Sequence, residues 1–475
     1  MMLVGLEKEC VKLKAQVNKH HDPLLNRLPP EIVAEVFEQC IPAELPSVDP
    51  NCFLEEHTIT APLTISAVCK GWRNIAFSTP RLWKLLSIRP PTVSSIGLIK
   101  NWIDRAGQLP LSILLHLPDE DETAVQIMGI IKQYSTRLLD LRLRSCSALL
   151  SHFPSGIHDL PTLRSLHLYI FDGIWENITL NMHPQHLTSL SLHEIPLESL
   201  HFDCTLLTSL TINKVTLFES LETLCRAPNL KKCIFESLFI DNDNNETPTG
   251  PLIHYELCEF GIPGDLCRLF KNLWCPSLKA LNFSDFNATA SSIINFLKKS
   301  ECLLERLCFL GETSLTVSEI DLICKSIPTL QHLSFAEIYD DVITIPFCNA
   351  LSKLSTVAGK TEPLYLPSLH SLSFDLLKSC EEVYRLIPDI FGIYELPEYP
   401  SKQLHHRHAL KSMTINISIL DGVDEVEQTL KAVDEDIWKK IVQLKKAGIE
   451  LTLPFGVHNQ DLVELAAARL RMPLV

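Results

Sequence analysis

The chain has little glycine and no long apolar run. Only 16 of its 475 residues are glycine, and the sequence contains no Gly-rich phosphate loop, no nucleophile elbow and no H-E-x-x-H zinc motif. No stretch approaches the run of about 18 apolar residues that a membrane-spanning helix needs. We therefore expect a protein that is not an enzyme, that holds no cofactor and that has no membrane partner.

Basic residues are outnumbered by acidic ones. The chain carries 42 Lys and Arg against 57 Asp and Glu, a net charge of −15. Such a surface repels phosphate backbones, so we expect no nucleic-acid partner. The 16 cysteines form no C-x-x-C pair and mostly lie inside apolar segments, which is typical of a reducing compartment. Because the N-terminus has no apolar signal core, we predict a cytoplasmic or nuclear location.

Two short polar segments have part of the character of a metal site. Asp241–Asn245 begins like a calcium loop, but the turn position that requires glycine holds Glu246 and the twelfth position holds Leu252. The segment His405–His408 has three histidines but no cysteine or carboxylate at ligand spacing. We predict no metal site at either segment.

Apolar residues near the N-terminus recur at heptad spacing, at Leu3, Leu6, Cys10, Leu13 and Val17. They cover fewer than the three or so heptads that indicate a coiled coil. We predict that residues 1–27 contain a short helix that packs against the segment after it. A helix that dimerises is the open alternative.

The next segment, residues 28–86, predicts three short helices. Prolines, whose fixed φ suits a first helical turn, begin them at Pro29–Pro30, Pro62 and Pro80. Apolar residues follow at helical spacing, so the second helix is predicted through Ala76 and the third through Leu86. Periodicity alone is equally compatible with a helical bundle that has no specific task.

Three motifs in this segment occur in a characteristic order. They are Leu28-Pro29-Pro30-Glu31-Ile32, Val68-Cys69-Lys70-Gly71-Trp72-Arg73 and Pro80-Arg81-Leu82-Trp83. The segment resembles the F-box, especially the form common in fungal proteins, and we assign the F-box to residues 28–90. The resemblance implies docking on a Skp-type adaptor and, through it, on a cullin. The positions that match the family's adaptor-binding residues are Leu28, Pro29, Ile32, Phe37, Val68, Cys69, Trp72 and Trp83.

Two features qualify this assignment. Large aromatic residues such as Trp72 occur in cores more often than at contacts, so a core role stays open for it. Residues 42–61 form a longer connection than a minimal F-box has, and their prolines and acidic residues predict a surface excursion. After the F-box, the apolar spacing from Val93 to Ala106 predicts a linker helix within residues 91–108.

From residue 109 onwards the chain alternates strand and helix patterns, and from Leu138 it repeats the pattern L-x-x-L-x-L-x-x-apolar, often introduced by Pro-x-Leu. The pattern resembles the leucine-rich repeat, whose period is about 20–29 residues. Eleven repeats begin at Leu138, Leu163, Leu187, Leu207, Leu230, Leu252, Leu278, Leu304, Leu330, Leu369 and Leu410.

The predicted fold class is therefore α/β: an N-terminal all-α three-helix F-box followed by a leucine-rich-repeat solenoid, a curved parallel sheet with outer helices. The solenoid is predicted over residues 109–475, with insertions near residues 339–366 and 378–408 where the repeat spacing lengthens. The alternative reading of the repeats is an ordinary α/β sheet whose strands follow one another.

An F-box followed by leucine-rich repeats resembles the substrate-recognition subunit of a Skp–cullin–F-box ubiquitin ligase. The resemblance implies a receptor that performs no chemistry and holds a protein substrate on its repeat face. The alternatives are a scaffold that binds the adaptor without promoting ubiquitylation, and an enzyme, which the motif search disfavours. The substrate is not defined by the sequence, and only scattered basic residues, Arg142, Arg144 and Arg164, are available for a phosphate-binding cluster.

Overall fold

A computed structural model gives the fold of the chain. It describes residues 24–45, 60–89, 92–152, 160–172, 184–197, 203–239, 251–264, 266–285, 287–311, 315–338, 341–352, 354–357, 360–363, 366–376, 381–391, 410–417, 424–455 and 460–472, with residues 9, 12, 13, 22, 180, 181, 200 and 201. The chain divides into two compact units, unit 1 from Met1 to Lys214 and unit 2 from Val215 to Val475.

Unit 1 begins with short helices and continues as a parallel sheet. Its helices are α1 (Pro30–Glu38), α2 (Ala61–Val68), α3 (Lys70–Ser78), α4 (Val93–Arg105), α5 (Glu122–Gln133) and α6 (Ser147–Leu150). Single turns of 3-10 helix occupy Pro80–Trp83, Ser135–Arg137 and Cys204–Leu206. Its strands are β1 (Leu85–Ile88), β2 (Leu111–Leu117), β3 (Leu138–Ser145), β4 (Ser165–Ile170), β5 (Leu180–Asn181), β6 (Ser189–His193), β7 (Leu200–His201) and β8 (Ser209–Thr216).

The predicted second helix is in fact two helices, because the chain is extended at Cys69 between α2 and α3 (φ −156°, ψ 171°). The Sγ atom of Cys69 accepts a hydrogen bond from the backbone N–H of Trp72 at 3.4 Å. Cys69 thus caps α3 in the way a serine or aspartate side chain would. The apolar spacing alone continued across this break and did not reveal it.

The predicted third helix is also wrong beyond its first turn. Pro80–Trp83 is a 3-10 turn, and Leu85 and Leu86 belong to β1, whose residues pair in parallel with β2. Leu85, Leu86 and Ile88 are buried, so this apolar run is a core strand of a parallel sheet rather than a helix. The linker helix, by contrast, is confirmed as α4.

The strands of unit 1 form a parallel sheet in the order β1-β2-β3-β4-β6-β8, and β5 and β7 make a separate short pair. The second leucines of the repeats are paired across it: Leu141 with Leu166, Leu166 with Leu190, and Leu190 with Leu210. All four are buried. The repeat pattern therefore sets both the register and the buried side of this sheet.

Unit 2 alternates helices with parallel strands. Its helices are α7 (Leu217–Arg226), α8 (Leu266–Asn272), α9 (Ala290–Ser300), α10 (Val317–Lys325), α11 (Asp341–Ser352), α12 (Glu381–Ile390), α13 (Asp424–Ala432), α14 (Glu435–Lys446) and α15 (Leu462–Arg469). Its strands are β9 (Lys232–Phe239), β10 (Leu252–Ile253), β11 (Glu259–Pro263), β12 (Leu273–Trp274), β13 (Ala280–Ser284), β14 (Arg306–Leu310), β15 (His332–Ile338), β16 (Leu354–Val357), β17 (Lys360–Pro363), β18 (Ser371–Leu376), β19 (Ser412–Ile417), β20 (Glu450–Thr452), β21 (Pro454–Phe455) and β22 (Gln460–Asp461).

The main sheet of unit 2 has the strand order β9-β11-β13-β14-β15-β18-β19, all parallel. Strand β19 also pairs with β20 and β21, and β22 is antiparallel to β21. The predicted insertion near residues 339–366 contains α11 and the antiparallel pair β16–β17. Helix α12 lies at the start of the second predicted insertion, near residues 378–408. These strands and helices make the whole chain an α/β protein whose main sheets are parallel.

The Pro-x-Leu segments are tight turns that precede the strands. In each, the N–H of the leucine donates to the carbonyl of the residue before the proline, at 3.1–3.3 Å. Proline suits this second position of a β-turn because its φ is fixed near the required value. The leucines concerned are buried at the start of their repeats: Leu163, Leu230, Leu278, Leu330 and Leu369.

One repeat is misplaced in the sequence prediction. The pattern that begins at Leu252 places Tyr255 in the core, yet 65% of Tyr255 is exposed. The strand of this repeat is β11, in which Phe260 pairs with Cys233 and Leu281. Leu257, which is fully buried, therefore takes the first position. The prediction took Leu257 and Phe260 for the third and fourth positions of a repeat that begins at Leu252, because that frame also fits the pattern L-x-x-L-x-L-x-x-apolar when Tyr255 takes the second position.

Candidate functional site

The residues with a predicted adaptor role differ widely in exposure. Ile32 and Val68 are exposed by 41% and 50%, and Pro29 is exposed as well. Leu28, Cys69 and Trp72 are half-buried. Phe37 and Trp83 are buried, so their side chains offer no surface to a partner and instead hold the helices together.

Helix α1 carries apolar residues both on the face that it buries and outside that face. Val33 and Phe37 are buried in the helical part of unit 1, whereas Ile32 and Val36 are exposed on the same helix. Branched aliphatic side chains that lie outside the core add nothing to its packing. Val36 is not among the predicted adaptor-binding residues, although its spacing of four residues from Ile32 predicts the same helix face.

Trp72 is held by a residue that precedes the predicted F-box. Its indole N–H donates to Oδ2 of Asp22 at 2.6 Å, and its ring lies 4.8 Å from the ring of Phe37. The other carboxylate oxygen of Asp22 accepts from the backbone N–H groups of Leu24 and Leu25. Trp72 thus connects the segment before α1 to the helices, and the Asp-Pro pair at Asp22 was the sequence signal for this turn.

Trp83 joins the helices to the linker helix α4. Its indole N–H donates to the carbonyl of Ala76 at 2.8 Å, and its ring packs against Trp102 of α4 at 4.8 Å. The guanidinium of Arg105 lies over the rings of Phe77 and Trp83, at 3.8 Å and 4.6 Å. Burial lowers the pKa of Arg105, which nonetheless keeps its positive charge for this cation–π contact at neutral pH.

The connection after α1 returns to the sheet. Leu45 is buried against Leu85 of β1 and Leu114 of β2. Its carbonyl accepts a hydrogen bond at 2.8 Å from Arg142 of β3, whose guanidinium also pairs with Asp140 at 3.0 Å. The first residues of the predicted surface excursion are therefore fixed on the sheet, and residues 46–59 lie outside the described residues.

The side of β2, β3, β4 and β6 opposite the core leucines carries half-buried charged and aromatic residues in rows. A row is the set of residues that the register pairs across neighbouring strands. We name the row at the carboxyl ends of these strands the cationic–aromatic row. It consists of His116, Arg144, Tyr169 and His193. The adjoining row consists of Leu114, Arg142, His167 and Ser191.

Side-chain contacts link the members of the cationic–aromatic row. The guanidinium of Arg144 lies 5.0 Å from the ring centre of Tyr169, and that ring lies 5.1 Å from the ring of His193. The ring of His116 contacts Phe171 edge-on at 6.5 Å. Three neighbouring strands thus present one guanidinium flanked by flat rings.

Burial and the nearby guanidinium groups control protonation on this face. Burial, with the charge of Arg142, lowers the pKa of His167 to about 4. Burial, with Arg144 and Arg89, lowers the pKa of His116. Burial also raises the pKa of Asp140, and Arg142 beside it acts in the opposite direction. His167 is consequently neutral at pH 7.

The corresponding side of the unit 2 strands, whose residues are half-buried or buried, is chemically different. The residues between the second and third leucine positions of the repeat pattern are small and uncharged: Gly261, Asn282, Cys308, Ser334, Ser373 and Thr414. The charged groups of this sheet lie one row earlier, where Glu259 contacts both Lys232 and Arg306.

Metal-ligand clusters and membrane-spanning helices were two further features to look for among the described residues. Within them, no group of three or more His, Cys, Asp or Glu side chains is arranged to hold a metal ion. The same part of the chain contains no helix with the length and apolarity needed to cross a bilayer. The segments Asp241–Asn245 and His405–His408 lie outside the described residues, as do Leu3, Leu6, Cys10 and Val17 of the heptad pattern.

No protein-family model matches this chain, and no curated protein matches it.

Proposed function

We propose that this chain is an F-box protein with leucine-rich repeats that acts as the substrate-recognition subunit of a Skp–cullin–F-box ubiquitin ligase. In this proposal the helices α1, α2 and α3 dock on the Skp-type adaptor, which connects to the cullin. The exposed face of the parallel strands binds a protein substrate, and the chain itself performs no chemistry. Its contribution is to raise the concentration of the substrate near the ubiquitin-charged enzyme.

One observation carries the docking part of the proposal. Helices α1 and α2 keep Ile32, Val36 and Val68 exposed, although the helices already bury Val33, Phe37 and Ile65. Exposed aliphatic side chains on a small helical unit are typical of a surface that binds another protein. Their position beside the Leu28-Pro29 motif agrees with the family pattern to which this segment is similar.

The adaptor surface is expected to include only some of the eight residues whose positions match the family's adaptor-binding residues. Pro29, Ile32 and Val68, with Val36 added, are the residues we expect to contact the adaptor. Leu28, Cys69 and Trp72 are expected at its margin because they are half-buried. Phe37 and Trp83 are expected to act indirectly, by holding α1 and the 3-10 turn in place.

Binding to a purified Skp-type adaptor tests the proposal directly. In a pull-down or by surface plasmon resonance, we expect the wild-type chain to retain the adaptor. Ile32→Asp, and the double variant Leu28→Ala/Pro29→Ala through its loss of the Pro29 contact, are expected to weaken binding by about tenfold or more, which corresponds to about 1.4 kcal/mol or more.

Leu303→Asp provides the matched control, because Leu303 is exposed by 69% in unit 2 and is not on the helices of unit 1. Equal retention of the adaptor by the wild-type chain and the variants at Leu28, Pro29 and Ile32 would remove the assignment. A second measurement distinguishes a substrate receptor from a scaffold that does not promote ubiquitylation. It asks whether any protein accumulates in cells when this chain is removed, as the receptor role predicts.

A further inference from the structure

Asp22 lies before the helices of unit 1, and only 9% of it is exposed. Its Oδ1 atom accepts hydrogen bonds from the backbone N–H groups of Leu24 and Leu25, at 3.0 Å and 3.1 Å. Its Oδ2 atom accepts one from the indole N–H of Trp72 at 2.6 Å and a weaker one from the thiol of Cys69 at 3.8 Å. One buried carboxylate thus joins a local turn to the start of α3, and each of its oxygens is satisfied by one of these two segments.

A second contact holds the same turn on α3. Leu25 lies against Gly71 so closely that a Cβ atom added at Gly71 would collide with Cδ1 of Leu25. Glycine is an unfavourable residue inside a helix, and here its missing side chain leaves the room that Leu25 occupies. The turn therefore rests directly on the backbone of α3.

This turn, residues 24–28, is named the entry turn because it leads into α1. Within it, the N–H groups of Arg27 and Leu28 both donate to the carbonyl of Leu24, at 3.3 Å and 3.0 Å. Pro29 follows as the N-cap residue of α1, and no side chain caps that end of the helix. The direction in which the chain enters α1 is therefore set by the entry turn and by the two contacts that hold it on α3.

We propose that Asp22 and Gly71 are positioning residues for adaptor binding, because they hold the entry turn on α3 and so fix Leu28 and Pro29 in the arrangement that the adaptor binds. This inference rests on the proposed function, and it extends the adaptor-docking unit from residue 28 back to Asp22. A turn that is fixed before binding loses less conformational freedom when the adaptor docks. Since Asp22 is buried, it raises the affinity through the turn and not through a contact of its own.

The first measurement uses the full-length chain without adaptor. Arg27 is exposed in the entry turn, so the rate of tryptic cleavage after Arg27, identified by mass spectrometry, shows how often the turn opens. Asp22→Asn keeps the shape of the side chain, but in either orientation of the amide its N–H groups face another donor. We expect this variant to be cleaved about tenfold faster, because a hydrogen bond to a charged acceptor is lost.

Double variants show whether the named contacts act together. Trp72→Phe removes the indole donor and is expected to speed cleavage as Asp22→Asn does, and the double variant Asp22→Asn/Trp72→Phe should be cleaved no faster than either, since all three lack the same bond. Gly71→Ala should speed cleavage in the wild-type chain. In a Leu25→Ala background it should cause no further increase, because the added methyl group then has room.

The second measurement is the affinity of the same variants for a purified Skp-type adaptor, by surface plasmon resonance. Asp22→Asn is expected to bind about fivefold more weakly, because a smaller fraction of the chain holds the entry turn in the competent arrangement. Asp121→Ala is the matched control. Asp121 caps α5 of the same unit through the N–H of Ala124 at 2.6 Å, so its loss destabilises unit 1 away from the entry turn. It is expected to change neither the cleavage after Arg27 nor the adaptor affinity.

The outcomes separate this inference from the proposed function. Unchanged cleavage of Asp22→Asn, or additive effects in the double variant with Trp72→Phe, would overturn the inference. So would faster cleavage with an unchanged adaptor affinity, or equal losses of affinity from Asp22→Asn and Asp121→Ala, because either result would make the role of Asp22 structural only. If the wild-type chain did not bind the adaptor while cleavage still responded to the variants, the proposed function would fail and the adaptor role of Asp22 with it, whereas the fixed entry turn would stand.

Discussion

The two units bury different side chains at the same position of the repeat. The third leucine position of the pattern L-x-x-L-x-L holds aliphatic residues in unit 1, with Leu143 paired to Leu168 and Leu192 paired to Ile212. The same position in unit 2 holds a row of phenylalanines: Phe283, Phe309, Phe335 and Phe374. Their rings follow one another at 5.1–5.2 Å, and two of the three contacts are nearly parallel stacks.

On the side of the sheet opposite the core leucines, the larger side chains belong to unit 1 and the smaller ones to unit 2. Between the second and third core positions of the repeat, unit 1 presents Arg142, His167 and Ser191, whereas the corresponding row of unit 2 is small and uncharged. The repeat pattern therefore fixes the backbone register in both units and leaves the chemistry to the other positions. Unit 2 packs large rings in its core, whereas in unit 1 Arg142 of β3 donates a hydrogen bond to the carbonyl of Leu45 in the connection after α1.

The largest effect is expected in the phenylalanine row. Phe335 is buried and contacts Phe309, Phe347 and Phe374. Phe335→Ala should lower the free energy of unfolding by about 4 kcal/mol, from lost burial and the cavity that remains. Denaturant unfolding followed by circular dichroism measures the loss. Phe335→Leu, which introduces an aliphatic side chain as in unit 1, should lower the free energy of unfolding less than Phe335→Ala does. If Phe335→Ala left the free energy of unfolding unchanged, the phenylalanine row would not stabilise unit 2.

The corrected repeat in unit 2 predicts the next largest effect. Leu257→Ala should cost about 3 kcal/mol because the side chain is fully buried. Tyr255→Ala should change stability by no more than about 0.5 kcal/mol because that side chain is exposed. The same unfolding experiment compares the two. If Tyr255→Ala were the more damaging change, the repeat would begin at Leu252 after all.

A pH effect is expected in unit 1. Because the pKa of His167 is lowered to about 4 in the folded chain, the unfolded chain binds its proton more readily, and stability falls as the pH drops below about 6.5. Between pH 7 and pH 5 this loss should be about 2 kcal/mol. The raised pKa of Asp140 acts in the opposite direction. Urea unfolding at both pH values should show a shallower pH dependence for His167→Gln than for the wild-type chain, and identical slopes would contradict the assignment.

The smallest effect distinguishes two arginines on equivalent faces. The side chain of Arg142 is 13% exposed and binds Leu45 and Asp140, whereas that of Arg306 is 56% exposed and lies 3.6 Å from Glu259. Arg142→Gln should cost about 1.5 kcal/mol, and Arg306→Gln less than about 0.5 kcal/mol. Hydrogen exchange resolved by mass spectrometry should localise the first loss to β1, β2 and residues 41–45. Equal protection in both variants would argue against the contact at Leu45.

Local apolar patterns predicted most of the parallel strands, because each L-x-L pair must bury its leucines in the next strand's register. The pattern failed at β11, because two overlapping frames, one from Leu252 and one from Leu257, both place apolar residues at its positions. It also failed at Leu85 and Leu86, since a short apolar run is compatible with both a helix and a buried strand until its partner strand is known.

The exposed contacts of the candidate site were harder to predict. The sequence offers Arg142 and Arg144 for a phosphate-binding cluster, but the pairing of Arg142 with Leu45 joins residues far apart in the sequence. The hydrogen bond of Asp22 to Trp72 is equally long-range. Such contacts depend on which loop returns to which strand, and hydrophobic spacing carries no information about that.

Strand β1 has a consequence for how the chain can be divided. It follows the Pro80–Trp83 turn directly and is the terminal strand of the sheet in unit 1. A truncated chain that starts after β1 would expose the hydrogen-bonding edge of β2 and uncover Leu114. Open edges of this kind promote aggregation, and repeat proteins require a protecting element at their ends. Strand β1 therefore serves as the end cap of the repeats, and we expect a truncated chain that lacks it to aggregate.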